Sequence, residues 1–468
     1  MKAALPMPNI LQFPKNFIWG AATSSYQVEG GHNLDGKGPS IWDAFCAIPG
    51  KVHNGDTGNT ACDHFHRMEE DVFLMKQMGL QAYRFSISWP RILPAGRGKV
   101  NPEGIEFYSK LIDLLLANGI QPWVTLYHWD LPLALQFEED GWLGESMADA
   151  FAKYADVCFG HFGDRVKNWI TINEAWVVAM LGYGQGVFAP GRTSNSEPYL
   201  AGHNLLRAHA RTVQVYREKY QPTQRGRIGM SNNCDWREPL TGSPADQAAA
   251  ERALEFFVSW FADPVYFGHY PPSMVERVGE RLPEFTPEES DLLKGSADFF
   301  GLNHYTTMYA ADAAGQLDLS SVYGNGGLSE DQDVNLSVDP AWELTEMQWA
   351  IVPWGCRKLL EWLDRRYGHP PIVITENGCA FDDRLVDGEV NDPQRVAFFK
   401  SYLNEMHRAI QNGVNLEGYF AWSLMDNFEW ASGYSKRFGL HYVDFETLER
   451  TPKASAKWLA GVIGRNEV

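Results

Sequence analysis

The chain has 468 residues, of which 44% are hydrophobic and 21% charged, a balance that excludes disorder because it supplies enough apolar side chain for a sizeable core. A formal net charge of −19 excludes a nucleic-acid partner, whose phosphates call for clustered Lys and Arg. It reads as a solvated acidic surface that keeps the protein in solution.

The stretch MKAALPMPNILQFPKNF at the start is broken by three prolines and carries no apolar segment of the kind a secretion signal needs. No run is long and apolar enough to span a membrane, so a cytoplasmic protein without a membrane partner is expected. Six cysteines (46, 62, 158, 234, 356 and 379) lack any paired spacing, which predicts reduced thiols rather than a disulfide framework or a zinc knuckle.

Eight short β-rich runs alternate with helical patterns along the chain. Phe17–Ala22 comes shortly before Gln27, and Ala82–Ser86 comes before Ser88. An amphipathic helix over Gly104–Ala117 stops at Asn118-Gly119 and leads to Trp123–Leu126, which His128 and Trp129 follow. A helix over Met147–His161 precedes Asn168–Ile172, and Asn173-Glu174 come next. A helix over Pro198–Tyr220 then precedes Arg227–Met230, which ends near Asn232-Asn233, a pair that turn formation alone accounts for.

Phe299–Leu302 is followed by Asn303, His304 and Tyr305, after which the Gly-, Ser- and Asp-rich region from Asp312 to Pro340 reads as a long surface loop. Ile372–Thr375 runs into Glu376-Asn377, and a helix over Asp392–Asn412 precedes Glu417–Ala421. Trp422, Asp426, Asn427 and Glu429 close the series. Eight βα units predict a single (β/α)8 TIM barrel with long active-site loops, residues 1–468 forming one catalytic domain.

In such a barrel the C-terminal strand ends converge on one face, so the polar residues after each run belong to one pocket. Strands must end in polar residues somewhere, but that does not explain carboxylates, a His and several Trp gathering there. With 17 Trp, 19 Tyr and 26 Phe, and several of the Trp beside Asn, Glu, His or Asp, the chain suits a pyranose ring, whose apolar C–H face stacks on aromatics while its hydroxyls take fixed polar groups. Core filling is the plainer use of so many Trp.

Retaining glycoside hydrolysis needs two carboxyl groups about 5–5.5 Å apart, one to protonate the leaving oxygen and one to attack the anomeric carbon. Glu174 in WITINEAW and Glu376 in IVITENG each close a run with the character of a buried strand, where a charge needs a partner or a function. Elsewhere on a surface a lone Glu would be an unremarked ion-pair residue.

At these residues the chain resembles the family 1 glycoside hydrolases, the β-glucosidase family, from FPKNFIWGAATSSYQVEG through YRFSISWPRI, TLYHWDLP, TINEAW, GLNHYT, ITENG and WSLMDNFEWASGYSKRFGLHYVD to RTPKASAKW. The resemblance implies that Glu174 is the acid/base and Glu376 the nucleophile, with Arg84 and Tyr305 contacting the nucleophile. It implies that Gln27, His128, Asn173 and Glu429 hold the sugar hydroxyls, that Trp422 and Trp430 form platform and wall with Trp129 alongside, and that Trp349 flanks the leaving group. Asn303 and Phe438 complete the expected substrate-binding set. Arg84 beside Glu376 favours its ionised form, and the charge on Glu376 disfavours ionisation of Glu174. The implied substrate is a small β-glycoside: cello-oligosaccharides, aryl and alkyl β-glucosides, and β-galactosides or β-fucosides as well. The implied protein is a monomer or homo-oligomer and needs no cofactor.

Two positions depart from the family pattern: Ala175 stands where Pro usually follows the acid/base, and the PWGC segment Pro353–Cys356 leaves the preferred aglycone open. A 6-phospho-β-glycosidase is the nearest alternative, but Glu429 and Trp430 stand where that specialisation has small polar residues, and a carboxylate there repels a phosphate. A non-catalytic carbohydrate-binding relative normally lacks one of the two Glu. His53, Cys62, Asp63, His64 and His66 suggest a metal site only faintly, because the segment runs into a helical pattern at Met68–Gln77.

Overall fold

The runs richest in β-branched and aromatic residues become eight strands: β1 (Ile18–Ala22), β2 (Ala82–Ser86), β3 (Gln121–Tyr127), β4 (Asn168–Asn173), β5 (Arg227–Asn233), β6 (Phe300–Asn303), β7 (Ile372–Asn377) and β8 (Leu416–Trp422). In the computed structural model, which describes residues 11–317 and 328–468, they close into a parallel barrel with β1 paired to β8. β2, β4 and β7 are buried along their whole length, as a sheet covered on both faces requires. The expected (β/α)8 architecture is present, and the strands were read to within three residues at each end.

Inside the barrel, Trp123 meets Phe299 at 5.4 Å and Phe420 at 5.2 Å between ring centroids, with Ala22, Ala82, Ile170 and Val373 in the same cluster. Gly20 makes room for this plug, since a Cβ there would lie 2.4 Å from the Phe420 ring. Above the plug the ladders lose regularity: register shifts fall between Ile170 and Asn173 against β5, and between Ile374 and Glu376 against β6. Such irregularities re-aim the side chains that follow them, and here those are the polar strand ends.

The outer layer includes helices Pro102–Ala117, Met147–Phe162, Glu197–Val215, Pro353–Arg366 and Pro393–Gln411. The helix expected over Pro198–Tyr220 is α-helical only to Val215 and continues as a π-helical turn, Tyr216–Tyr220. The region from Asp312 to Pro340 is not one loop. Strand Val334–Ser337 pairs antiparallel with Thr307–Asp312, which pairs parallel with Trp236–Pro239, and helix Leu328–Gln332 precedes it. A strand of four residues is too short for its alternation to stand out, yet Val334 and Leu336 pack on Ala249, Ala250, Ala253 and Ala310. The part of the expected loop at 318–327 lies outside the described residues.

The helix expected from Met68 begins at His64, whose Nδ1 lies 2.7 Å from Asp71 Oδ2, and Arg450 pairs with the same Asp71. Among the described residues no group of three His, Cys, Asp or Glu is arranged to hold a metal ion, and no helix is long and apolar enough to cross a membrane. All six cysteines are unpaired and buried.

Candidate active site

The C-terminal strand ends surround a cavity of about 140 Å³. Larger grooves exist, one of about 670 Å³ between Met147–Phe162 and Glu197–Val215, but its charged groups are spent on surface ion pairs such as Lys219 with Asp156 and Arg207 with Glu289. The smaller cavity gathers buried carboxyls, aromatic walls and hydrogen-bonding groups left open. It is the chemically competent one.

Glu376 at the end of β7 accepts from Arg84 Nη1 at 2.7 Å through Oε1 and from the Tyr305 hydroxyl at 2.6 Å through Oε2. Arg84 is fixed in turn, donating to Thr125 Oγ1 at 3.1 Å and Thr375 O at 3.0 Å. Its Nη2 donates to Asn173 Oδ1 at 2.5 Å. Asn303 Nδ2 donates to that same Asn173 oxygen at 3.0 Å and to Glu174 Oε1 at 2.5 Å. One continuous network therefore runs from Glu376 through Arg84, Asn173 and Asn303 to Glu174.

Burial raises the pKa of both carboxyls, but to different extents. Glu174 is lifted well above the ordinary carboxyl value, by desolvation first and the charge of Glu376 second. Desolvation lifts Glu376 as well, while Arg84 and the Tyr305 hydroxyl pull it back. The sequence argument from Arg84 alone thus gave the order of the two groups but understated burial, which wins over the guanidinium in the net direction. Tyr305 is held far above its ordinary value by burial and the charge of Glu376, so it stays a hydroxyl donor.

On the far side of the cavity two buried polar atoms have no hydrogen-bond partner, His128 Nδ1 and Glu429 Oε2. Asn173 Nδ2 donates to His128 Nε2 at 3.2 Å, which assigns the proton to Nδ1, and burial with Arg84 nearby keeps the ring neutral. Burial and the charge of Glu376 push Glu429 up to about 8. A group that both donates and accepts, such as a hydroxyl, satisfies an N–H and a carboxyl together. Isolated, each would carry a desolvation penalty of about 1–3 kcal/mol.

Around these atoms stand Trp129, Trp422 and Trp430, with His128 stacked between Trp422 and Trp430 at 5.9 Å from each. Glu174, Trp129 and Trp430 all have left-handed backbones, with φ of 51°, 77° and 48°. A non-glycine in that region costs of order 1–3 kcal/mol, so the surroundings must hold it there. Trp430 is clamped at 4.6 Å by both Trp42 and Trp129, and Glu174 by its N–H bond to Ser231 O at 2.8 Å.

Of the expected site residues, Glu174, Glu376, Tyr305, His128, Trp129, Asn303, Trp349, Trp422, Glu429, Trp430 and Phe438 line the cavity. Arg84 and Asn173 sit behind it and act through their hydrogen bonds. Gln27 is also set back, its amide bound to Asn427 Oδ1 at 3.1 Å and Phe428 O at 2.9 Å, and its oxygen to Ser24 Oγ at 2.6 Å. Sequence reasoning missed Trp176, Val177, Leu181, Phe188, Asp235, Phe257, Thr306 and Met347, all on the lining. Asn233, given to a turn, continues β5 and faces the cavity. Leu181 and Phe257 lie in π-helical turns, which carry no periodic signal, whereas the acidic Asp235 just past a strand end was a signal within reach.

Residues 10–468 match the sequence model of the family described as Glycosyl hydrolase family 1. The chain belongs to glycosyl hydrolase family 1. Family members similar to it include β-glucosidase 42 of Arabidopsis thaliana, 49% identical over 465 residues that cover 97% of this chain and 95% of the relative. The family 1 β-glucosidase from Thermotoga maritima superposes with a TM-score of 0.91 at 45% identity, covering 98% of this chain and 99% of that one. A mutant of a rice β-glucosidase, solved in a covalent complex with Glc, superposes with a TM-score of 0.91 at 43% identity, covering 96% and 98%.

Proposed function

We propose that this family 1 chain is a retaining β-glucosidase, acting on terminal β-glucosyl groups of cello-oligosaccharides and of aryl and alkyl β-glucosides, and on β-galactosides or β-fucosides as secondary substrates. The observation that carries the reading is the unequal pair of carboxyls on one cavity, Glu376 held by a cation and a phenol and Glu174 held protonated by burial and a neighbouring charge. Glu376 attacks the anomeric carbon while Glu174 gives its proton to the departing oxygen, leaving a glycosyl ester on Glu376. Esterification consumes the charge on Glu376, the proton affinity of Glu174 drops, and the same carboxylate deprotonates the water that attacks in the second step. His128 and Glu429 bind hydroxyls of the sugar, with Trp422 beneath its apolar face.

The covalent Glc complex of the rice relative supports the double displacement by similarity. No Lys or Arg is among the described residues that line the cavity, which argues against a 6-phosphorylated substrate. Unpaired cysteines suit a reducing compartment such as the cytoplasm.

The test is release of p-nitrophenol from its β-glucoside by the wild type and by Glu376→Gly, with and without azide or formate. Removing a nucleophile is expected to cost about 10⁴-fold or more. Activity restored by the small anion, with an α-configured adduct, is the expected result. A wild type inert on the β-glucoside, β-galactoside and β-fucoside alike overturns the reading.

A further inference from the structure

Glu174 marks the leaving-group side of the cavity, because the group that protonates the departing oxygen must lie beside it. The walls there are apolar: Trp176 and Phe257 meet edge to face at 4.7 Å, with Val177 and Met347 close by. One further carboxylate interrupts them. Asp235 lies in the bend between β5 and strand Trp236–Pro239, is 6% exposed, and lines the cavity.

Its counter-charge is set behind it. Arg237 Nη2 lies 3.7 Å from Asp235 Oδ2, yet its side chain is 3% exposed against 9% for Asp235, and its guanidinium sits over the Phe257 ring at 5.0 Å, off the lining. The pair is therefore a dipole with its negative end toward the cavity. Asp235 also lies near enough to Glu174 to help it keep its proton.

We infer that Asp235 selects the leaving group by charge: this half of the cavity takes an aglycone that is neutral or cationic and turns away one that is anionic. The inference rests on the β-glucosidase reading and names the aglycone class that the reading leaves open. In a poorly solvated cleft with an effective dielectric of about 20, charges about 7 Å apart change a rate by tenfold or more, and Arg237 takes back a part. A discrimination of about tenfold against an anion is the expected size.

The test uses two isosteric pairs of para-substituted phenyl β-glucosides, carboxylate against carboxamide and aminomethyl against hydroxymethyl, compared as ratios of kcat/KM within each pair. The wild type is expected to favour the carboxamide over the carboxylate by about tenfold and the ammonium over the alcohol by several-fold. Asp235→Asn brings both ratios toward one, and Arg237→Gln, which strips the counter-charge, widens them. A wild-type ratio near one, or ratios unchanged in Asp235→Asn, overturns the inference while the glucosidase reading stands. A wild type inert on all four neutral and charged glucosides overturns both.

Discussion

Glu376 and Glu174 are the same residue type at strand ends three places apart around the barrel, both buried, yet their surroundings differ in sign. Glu376 receives a guanidinium and a phenol, two donors that favour its charge. Glu174 receives one amide, from Asn303, and feels Arg84 as well, but burial and two acidic neighbours, Glu376 first and then Asp235, disfavour its charge. Burial alone would have made both into acids. The proposed assignment of base and acid rests on the donors, so it can be broken by changing what surrounds each group.

After the loss of the nucleophile Glu376, the largest effect is expected at the acid. Glu174→Gln removes the proton donor, and for a glucoside with a poor leaving group kcat/KM should fall by about 10²–10⁴-fold. Because burial and the charge of Glu376 raise the pKa of Glu174 well above the ordinary carboxyl value, the wild type keeps this proton to higher pH than a free carboxyl would and loses activity as pH climbs through that raised value. The Gln variant should lack this alkaline limb. A pH profile of Glu174→Gln that keeps the limb would show that another group supplies the proton.

The next effect sharpens the comparison by using a third carboxyl that has neither kind of help. Burial and the charge of Glu376 push Glu429 from an ordinary 4.5 to about 8 in the folded protein. A folded pKa above the unfolded one means the folded state binds the proton more tightly. The stability associated with Glu429 is therefore fully present below about pH 4.5 and is lost as pH rises through about 8. Glu429→Gln should raise the melting temperature at pH 7 and lose that advantage toward pH 4.5, while weakening sugar binding. Equal melting shifts at the two pH values would mean that Glu429 titrates normally.

The sequence disclosed most of the barrel and the polar members of the site because both depend on local pattern. Buried parallel strands need unbroken apolar runs, and a carboxylate directly after such a run stands out. What stayed hidden depends on chain paths that no local pattern encodes. Leu181 and Phe257 reach the cavity from π-helical turns, and strand Val334–Ser337 exists only because it pairs with Thr307–Asp312. Gln27, whose residue type suits sugar binding, is set back from the lining and is tied by its hydrogen bonds to the loop that carries Glu429. The polar side of the cavity around His128 and Glu429 was thus legible by residue type, and the apolar side around Trp176 and Phe257, built from side chains that read as ordinary core, was not.

The smallest effect concerns Ala175, the residue that departs from the family pattern. It is the first position of the short helix Ala175–Val177, directly after Glu174, and is 1% exposed. Proline fits a first helical position, where the missing N–H has no intrahelical partner. The carboxyl of Glu174 is already oriented by Asn303, and its backbone by the N–H bond to Ser231, so the ring has little left to organise. Ala175→Pro should change kcat/KM by less than about threefold and gain up to about 1 kcal/mol through the stiffer unfolded chain. A many-fold rise in turnover would instead mean that Glu174 is held too loosely by these two contacts, and that the network between the carboxyls is only part of what positions the acid.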